Sequence, residues 1–129
     1  MTGALDPRPA PAGSAPAAPP PPVLIVTTTI PSEADASRIA ETVVTERLAA
    51  CAQIQGPIRS TFRWQGRVDQ ATEWYVHCKT TSSRVPELLS RLQTLHPYDV
   101  PEIIVTPIID GHLPYLQWVE DSVSREAHK

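Results

Sequence analysis

The feature that most constrains the fold is a pair of long alternating segments on either side of Gln65 and Gly66. Apolar residues fall mostly on even positions in residues 50–64, and again in residues 67–80. Such alternation is typical of half-buried strands, and the glycine-containing turn between the segments predicts an antiparallel hairpin. A glycine and a proline at positions 56 and 57 predict a bulge or kink in the first strand.

Two registers are open for this hairpin, each with a constant sum of paired residue numbers. A sum of 132 pairs Ile58 with Trp74 and sets arginines opposite carboxylates, in the pairs Arg59–Glu73 and Arg63–Asp69. A sum of 130 suits Gly66 better, because it then takes the left-handed position of a three-residue loop. Both registers place the even positions of the two strands on one face.

The length of the hairpin predicts self-association. A straight strand over residues 51–64 would run roughly 46 Å, whereas a compact chain of about 107 residues is roughly 33 Å across. The hairpin must therefore bend, project, or both. A bare projecting hairpin with apolar side chains invites aggregation unless a neighbouring subunit covers it. We predict a homo-oligomer with subunit contacts at Ile58, Phe62, Trp64 and Trp74.

Two further strands are predicted outside the hairpin. The apolar, β-branched run at residues 23–29 indicates a central strand buried on both faces. A similar run at residues 102–109 contains Pro107, which favours an edge or a bend.

Apolar residues at helical spacing predict three helices, and the order of elements then gives the fold class. The helices are expected over residues 33–48 with a cap at Ser32, over residues 85–95 with a cap at Ser82 or Ser83, and around residues 115–122. The resulting order, β-α-β-β-α-β-α, predicts an α+β, ferredoxin-like βαββαβ sandwich with a long central hairpin and a C-terminal helix.

Composition divides the chain at residue 23. Eight of the 15 prolines lie in residues 1–22, together with many alanines, which predicts a disordered Pro/Ala-rich tail ahead of a single domain over residues 23–129.

The formal net charge of −3 argues against a nucleic-acid binder. No apolar run spans a bilayer and no secretory signal precedes the domain, so we expect no membrane contact and a cytoplasmic location. Cys51 and Cys78 fit a reducing compartment, and no disulfide is predicted between them.

Motif searches predict that the protein is not an enzyme. The sequence contains no nucleophile elbow, phosphate-binding loop or dinucleotide-binding glycine pattern. Its four histidines are not spaced as metal ligands, and no C-x-x-C pair occurs.

The segment from His96 to Glu102 is the most distinctive loop. Two prolines stiffen it, and it is expected to expose His96, Tyr98 and Asp99. It is either a ligand-facing loop or a rigid connection whose polar side chains cap the adjacent helix and strand.

Three residues elsewhere are also open to two interpretations. Lys79 is either a solvated edge lysine or one that faces an anion. Cys51 is either a small buried apolar residue or part of a site, and Trp64 is either a subunit-contact anchor or a stacking group for a ligand.

These features together resemble the CutA family of divalent-cation tolerance proteins. The matching segments are residues 23–32, LAACA at 48–52, FRWQG at 62–66, KTT at 79–81, HPYDVPEI at 96–103 and YLQW at 115–118. The resemblance implies a ferredoxin-like subunit in a tight trimer similar to PII signalling proteins, with hairpins completing sheets across subunits, and no established enzymatic activity. Copper binding is attributed to some members through a cysteine and two adjacent histidines. Those positions are Thr28, Leu95 and His96 here, so only His96 carries over as a metal ligand.

The resemblance implies a non-catalytic trimeric protein of binding or signalling type, associated with divalent metal (copper) tolerance and the response to metal ion. A small ligand or a metal ion, bound weakly if it is copper, would lie at subunit interfaces. The expected pocket residues are Lys79, His96, Tyr98 and Glu102, with Cys51 and Trp64 nearby. The alternative is a structural scaffold whose trimer presents proline-rich tails to a protein partner.

Overall fold

The computed structural model describes residues 22–125. The predicted disorder of the Pro/Ala-rich tail lies outside these residues and stays a prediction. The elements are β1 (Val23–Ile30), α1 (Glu33–Thr45), β2 (Cys51–Trp64), β3 (Arg67–Thr81), a 3-10 turn (Ser82–Arg84), α2 (Val85–Leu95), β4 (Ile103–Pro107) and α3 (Leu113–Val123). None of the helices in this part of the chain is long and apolar enough to cross a membrane.

The four strands form one antiparallel sheet in the order β2-β3-β1-β4. This order and the βαββαβ succession confirm the ferredoxin-like prediction. β1 is central, as its apolar run predicts, and β4 lies at an edge, as Pro107 favours.

Helices α1 and α2 cover one face of the sheet and create the main core. Residues at even positions of β1 and β3, such as Val26 and Val76, contact the apolar stripes of both helices. A smaller cluster joins α3 to the other face, where Leu116 and Val119 pack against Val23. The remainder of that second face carries no helix within the described residues, and we call it the open face.

Local capping explains where the helices begin and end. Ser32 accepts a hydrogen bond from the Asp35 backbone N–H, so it caps α1 as predicted. Arg47 has a left-handed φ of 62° and ends α1 earlier than the predicted residue 48. The predicted Ser82 or Ser83 cap of α2 is wrong, because a 3-10 turn precedes that helix and the Ser83 hydroxyl bonds Thr81 instead.

Neither predicted hairpin register holds along the whole length. Pairs near the base sum to 130, as in Cys51–Lys79, and pairs near the tip sum to 131, as in Trp64–Arg67. The change occurs between Gln55 and Ile58, at the predicted bulge, where the peptide between residues 56 and 57 is cis. One extra residue on β2 at the bulge accounts for the shift.

The observed register near the tip overturns the predicted charge pairs. Arg59 lies opposite Thr72, and Arg63 lies opposite Val68. Glu73 lies opposite Ile58 instead, on the face that Arg59 does not share. Near the base the even positions still pair, so Cys51 and Cys78 point to opposite faces and both are free thiols.

The four residues predicted to meet a neighbouring subunit lie in different environments. Phe62 and Trp64 are 39% and 56% exposed near the tip, and Ile58 is half-buried. Trp74 is half-buried, and it packs against the main core of its own subunit and over Gly56. The outer half of the hairpin thus carries the exposed apolar side chains, whereas Trp74 anchors its base.

Candidate functional site

The predicted pocket residues fall into two groups at opposite ends of the sheet. Lys79 and Cys51 are cross-strand partners beside α3. His96 and Tyr98 meet Glu73 at the other end of β3. Lys79 and Glu73 are six residues apart on one strand, which corresponds to roughly 20 Å. One chain therefore builds two separate sites, which we call the Lys79 cluster and the His96 cluster.

The Lys79 cluster lies on the open face at the base of the hairpin. Lys79 Nζ donates a hydrogen bond to Gln53 Oε1. Cys51 Sγ lies 3.5 Å from the hydroxyl oxygen of Tyr115, which α3 places over the sheet. The Tyr115 ring lies against that of Trp118, with 5.6 Å between centroids. The cluster combines an ammonium, a thiol, a phenol and an indole on a partly exposed surface.

Burial and the contact with Cys51 raise the pKa of Tyr115 to about 12. Burial raises the pKa of Cys78, on the opposite face, to about 12 as well. Both groups therefore stay protonated at neutral pH, and Tyr115 keeps a hydroxyl proton to donate.

The His96 cluster is closed by its own hydrogen bonds. His96 is 8% exposed, so the expectation that this loop exposes it is wrong. Its Nε2 lies 2.9 Å from the carbonyl oxygen of Thr29 and donates to it. Its Nδ1 accepts the backbone N–H of Tyr98 at 3.1 Å. Nε2 therefore fastens the loop to β1 and Nδ1 holds the backbone of the loop itself, which matches the rigid-connection interpretation.

Tyr98 extends this connection to the hairpin. Its hydroxyl donates to Glu73 Oε2 at 2.9 Å, and burial together with that bond raises the pKa of Tyr98 to about 12. Glu73 is only 7% exposed, and Tyr98 is its hydrogen-bond partner. The loop is thus joined to the base of the hairpin next to the bulge.

The other two predicted pocket residues join neither cluster. Glu102 is exposed, and its backbone carbonyl accepts the hydroxyl proton of Thr28. Trp64 lies near the hairpin tip, roughly 40 Å along β2 from Cys51.

The positions expected to hold copper do not form a metal site in this chain. Both nitrogens of His96 are engaged, and the Thr28 hydroxyl already donates to a carbonyl. Leu95 supplies no donor atom. Within residues 22–125, no group of three or more His, Cys, Asp or Glu side chains is arranged to hold a metal ion.

Three residues of these clusters were not predicted as site residues. Tyr115 and Trp118 were assigned only to a helix, although they lie one position before the apolar stripe of Leu116 and Val119 and so point beside it. Glu73 was paired with Arg59 by a register that assumed a different turn at Gln65 and Gly66. A single sequence carries no signal for the Tyr98–Glu73 contact, since it depends on that register.

The state of His96 predicts a pH-dependent stability. Burial lowers the pKa of His96, and burial followed by the charge of Lys79 lowers that of His77. A folded pKa below the unfolded value of about 6.5 favours the neutral ring in the folded protein. The stability that these neutral rings contribute is therefore fully present above about pH 6.5. It is lost as the pH falls towards the lower pKa values of the two histidines in the folded protein.

Urea unfolding at pH 7.5, 6.5 and 5.5 tests this expectation, with loss of stability expected only below about pH 6.5. His96→Gln keeps a donor and an acceptor but does not titrate, so it should remove part of the stability loss at low pH. His77→Gln should remove the rest. His112→Gln, at an exposed position, is the matched control. An undiminished loss in both buried-site variants would assign the effect to other groups.

Comparison with known proteins gives the family. Residues 24–122 match the family model described as CutA1 divalent ion tolerance protein. The divalent-cation tolerance protein CutA of Thermus thermophilus is 45% identical over 94 residues, which cover 73% of this chain and 91% of that protein. Human protein CutA is 43% identical over 91 residues, covering 70% of this chain, and the chain spans about half of its length (51%).

The fold agrees with that assignment. The crystal structure of CutA1 from Oryza sativa superimposes with a TM-score of 0.79 at 35% identity, covering 82% of this chain and 97% of that one. Family match, sequence identity and fold agree, and the chain belongs to the CutA1 divalent ion tolerance family.

Proposed function

We propose that this protein is a non-catalytic homotrimer of binding or signalling type that acts in divalent metal tolerance and in the response to metal ion. The observation that carries the proposal is the exposed apolar face on the outer half of the hairpin. This apolar face packs against a second copy of the chain.

The corrected register sorts the outer hairpin into two unlike faces. One face carries apolar groups together with three charged ones, in the pairs Ile58–Glu73, Ser60–Ala71, Phe62–Asp69 and Trp64–Arg67. The other carries mainly polar groups, in the pairs Arg59–Thr72, Thr61–Gln70 and Arg63–Val68. Because cross-strand partners share a face, the aromatic side chains of Phe62 and Trp64 lie on one side, where a neighbour can bury them without burying the arginines Arg59 and Arg63.

The edges of the sheet supply a second support for assembly. β2 and β4 are the outer strands, and β4 exposes Ile104 and Val105. Exposed strand edges with apolar side chains favour pairing with another chain. A hairpin that contacts a different surface of its neighbour makes a head-to-tail interface, which closes into a ring. The family resemblance implies that this ring contains three subunits.

The ligand-binding part of the proposal depends on the Lys79 cluster. In a single chain this cluster is an open surface, and two cavities of about 270 and 320 Å³ lie elsewhere, beside the ends of α1 and α3. A neighbouring subunit would convert the open surface into a cleft. The free thiols of Cys51 and Cys78 support the cytoplasmic location that we include in the proposal.

Sedimentation equilibrium and native mass spectrometry test the assembly. We expect a trimer of the 14.1 kDa chain at micromolar concentration, with no folded monomer. A folded monomer as the main species would contradict the proposal.

Metal tolerance in this proposal does not use His96 as a strong copper ligand. We expect Cu(II) to bind no more tightly than micromolar, because one imidazole with both nitrogens engaged cannot complete a coordination sphere. Titration calorimetry with a competing chelator measures this, with His112→Ala as the control for surface histidines. A nanomolar site that is lost in His96→Ala and kept in His112→Ala would contradict the expectation.

A further inference from the structure

We propose that the Lys79 cluster binds a small organic anion, with a carboxylate held by Lys79 and Tyr115 and a flat apolar part held against the rings of Tyr115 and Trp118. This inference rests on the proposed binding function and specifies its ligand class.

The first support is the unbalanced charge of Lys79. It is the one lysine in residues 22–125, and it is half-buried. Its ammonium bonds the neutral amide of Gln53, and no carboxylate among the described residues lies within ion-pair distance of it. A partly desolvated ammonium without a counter-charge attracts an anion.

The second support is the composition of the open face. Cross-strand pairs place the following residues on it: Ile25, Thr27 and Thr29 of β1, Cys51, Gln53 and Gln55 of β2, Tyr75, His77 and Lys79 of β3, and Ile104 and Thr106 of β4. None of them is Asp or Glu, although the whole chain has a formal net charge of −3. The next carboxylate on this face along β3 is that of Glu73, six residues from Lys79, which corresponds to roughly 20 Å. The positive charge of this face is therefore not cancelled locally, and it already acts on a neighbour, since it helps to lower the pKa of His77.

His77 adds no second positive charge here at neutral pH, because burial and the charge of Lys79 lower its pKa. Its Nδ1 lies 3.1 Å from the Thr27 hydroxyl, and its Nε2 lies 3.0 Å from Gln55 Oε1. Lys79 is then the single cation at neutral pH among the open-face residues named above. Glu102, at the opposite end of the sheet, is roughly 16 Å away by strand spacing, beyond the screening length of about 8 Å at physiological salt.

The third support is the set of donors and the aromatic wall. Lys79 has ammonium protons beyond the one that it gives to Gln53. Tyr115 keeps its hydroxyl proton, and its contact atom, Cys51 Sγ, is only a weak acceptor. Two polar donors thus converge beside the partly exposed rings of Tyr115 and Trp118, which are 39% and 46% exposed. A ligand with a carboxylate and a planar apolar group accepts hydrogen bonds from the two donors and packs against the two rings.

Benzoate is the probe, and the full-length protein is titrated with it by two-dimensional ¹H–¹⁵N NMR at neutral pH. We expect saturable shifts at residues 51–53, 79 and 115–118 in the millimolar range or tighter. Benzamide, which has the same shape without the charge, should bind about tenfold more weakly. Inorganic phosphate should also bind more weakly than benzoate, because it cannot use the aromatic wall.

Variants separate the role of charge from a loss of folding. Lys79→Gln should weaken benzoate about tenfold, Lys79→Arg should retain it, and Tyr115→Phe should weaken it while keeping the ring. Arg38→Gln removes the same charge at an exposed position on α1 and should change nothing. Equal binding of benzoate and benzamide, phosphate binding as tight as benzoate, or equal affinities in Lys79→Gln and Arg38→Gln would each overturn the inference.

Sedimentation of the same samples distinguishes this inference from the proposed assembly. A trimer that shows no benzoate shifts refutes the anion site alone. A monomer that binds benzoate refutes the proposed trimer and leaves the anion site supported.

Discussion

The double substitution Phe62→Asp, Trp64→Asp is expected to abolish self-association of this protein. Burial of each aromatic side chain contributes about 1.5–3 kcal/mol, and a carboxylate at an apolar contact costs further free energy. A loss of only 3 kcal/mol per interface weakens each contact by about 100-fold. Because a ring contains the interface once per subunit, the effect multiplies, and sedimentation equilibrium should show no trimer at micromolar concentration.

A matched control comes from the same strand. Thr61 and Arg63 alternate with Phe62 and Trp64 and lie on the polar face of the hairpin. The double substitution Thr61→Asp, Arg63→Asp should therefore leave the sedimentation profile unchanged. Equal loss of assembly in both variants would show that added charge near the tip, rather than burial of the aromatic face, is responsible. An intact trimer in the Phe62 and Trp64 variant would place the interface elsewhere.

The fold was predictable from the sequence because each element carries its own signal. The β-branched run of β1, the helical spacing of Leu88 and Leu92 and the alternation in the hairpin each specify a local structure independently. Their order then leaves few topologies for a single small sheet. The ferredoxin-like arrangement therefore followed without any knowledge of tertiary contacts.

The register of the hairpin was not predictable because two local irregularities act together. Gln65 and Gly66 both have positive φ, 50° and 77°, and form a two-residue turn whose twist matches the strands. Gln is not a residue that usually signals such a turn. The bulge then adds one residue to β2, so the pairing changes along the hairpin. The partner of Glu73 depends on the turn, and the pairing of Cys51 with Lys79 depends on both.

Only some members of the two clusters were predictable from the sequence, and their arrangement was not. Lys79 and Cys51 do lie opposite each other, because both are at the base of the hairpin. His96 was expected to be exposed at the start of a proline-stiffened loop, yet the hydrogen bond of its Nε2 to Thr29 draws the ring inwards. That contact joins residues 67 positions apart, and no local pattern in the sequence reports it.

Gly56→Ala is expected to destabilise the protein by about 1–3 kcal/mol, the usual cost of overpacking. A Cβ at this position would lie 2.6 Å from Cδ1 and 2.9 Å from Cγ of Trp74, and 3.1 Å from the Glu73 carbonyl oxygen. The indole ring packs against the main core and so cannot move away freely. Urea unfolding at pH 7.5 measures the loss.

Two comparisons assign this loss to the contact between Gly56 and Trp74. Gly111→Ala is the matched control, because its added Cβ meets only Leu116, at 3.4 Å or more, and should change the stability by less than about 0.5 kcal/mol. In a Trp74→Leu background the cost of Gly56→Ala should shrink, since a smaller side chain leaves room for the methyl group. An undiminished cost there would assign the loss to the Glu73 backbone instead. In that case the bulge, rather than the indole, fixes the requirement for glycine, and the same substitution should also weaken the trimer by redirecting the outer hairpin.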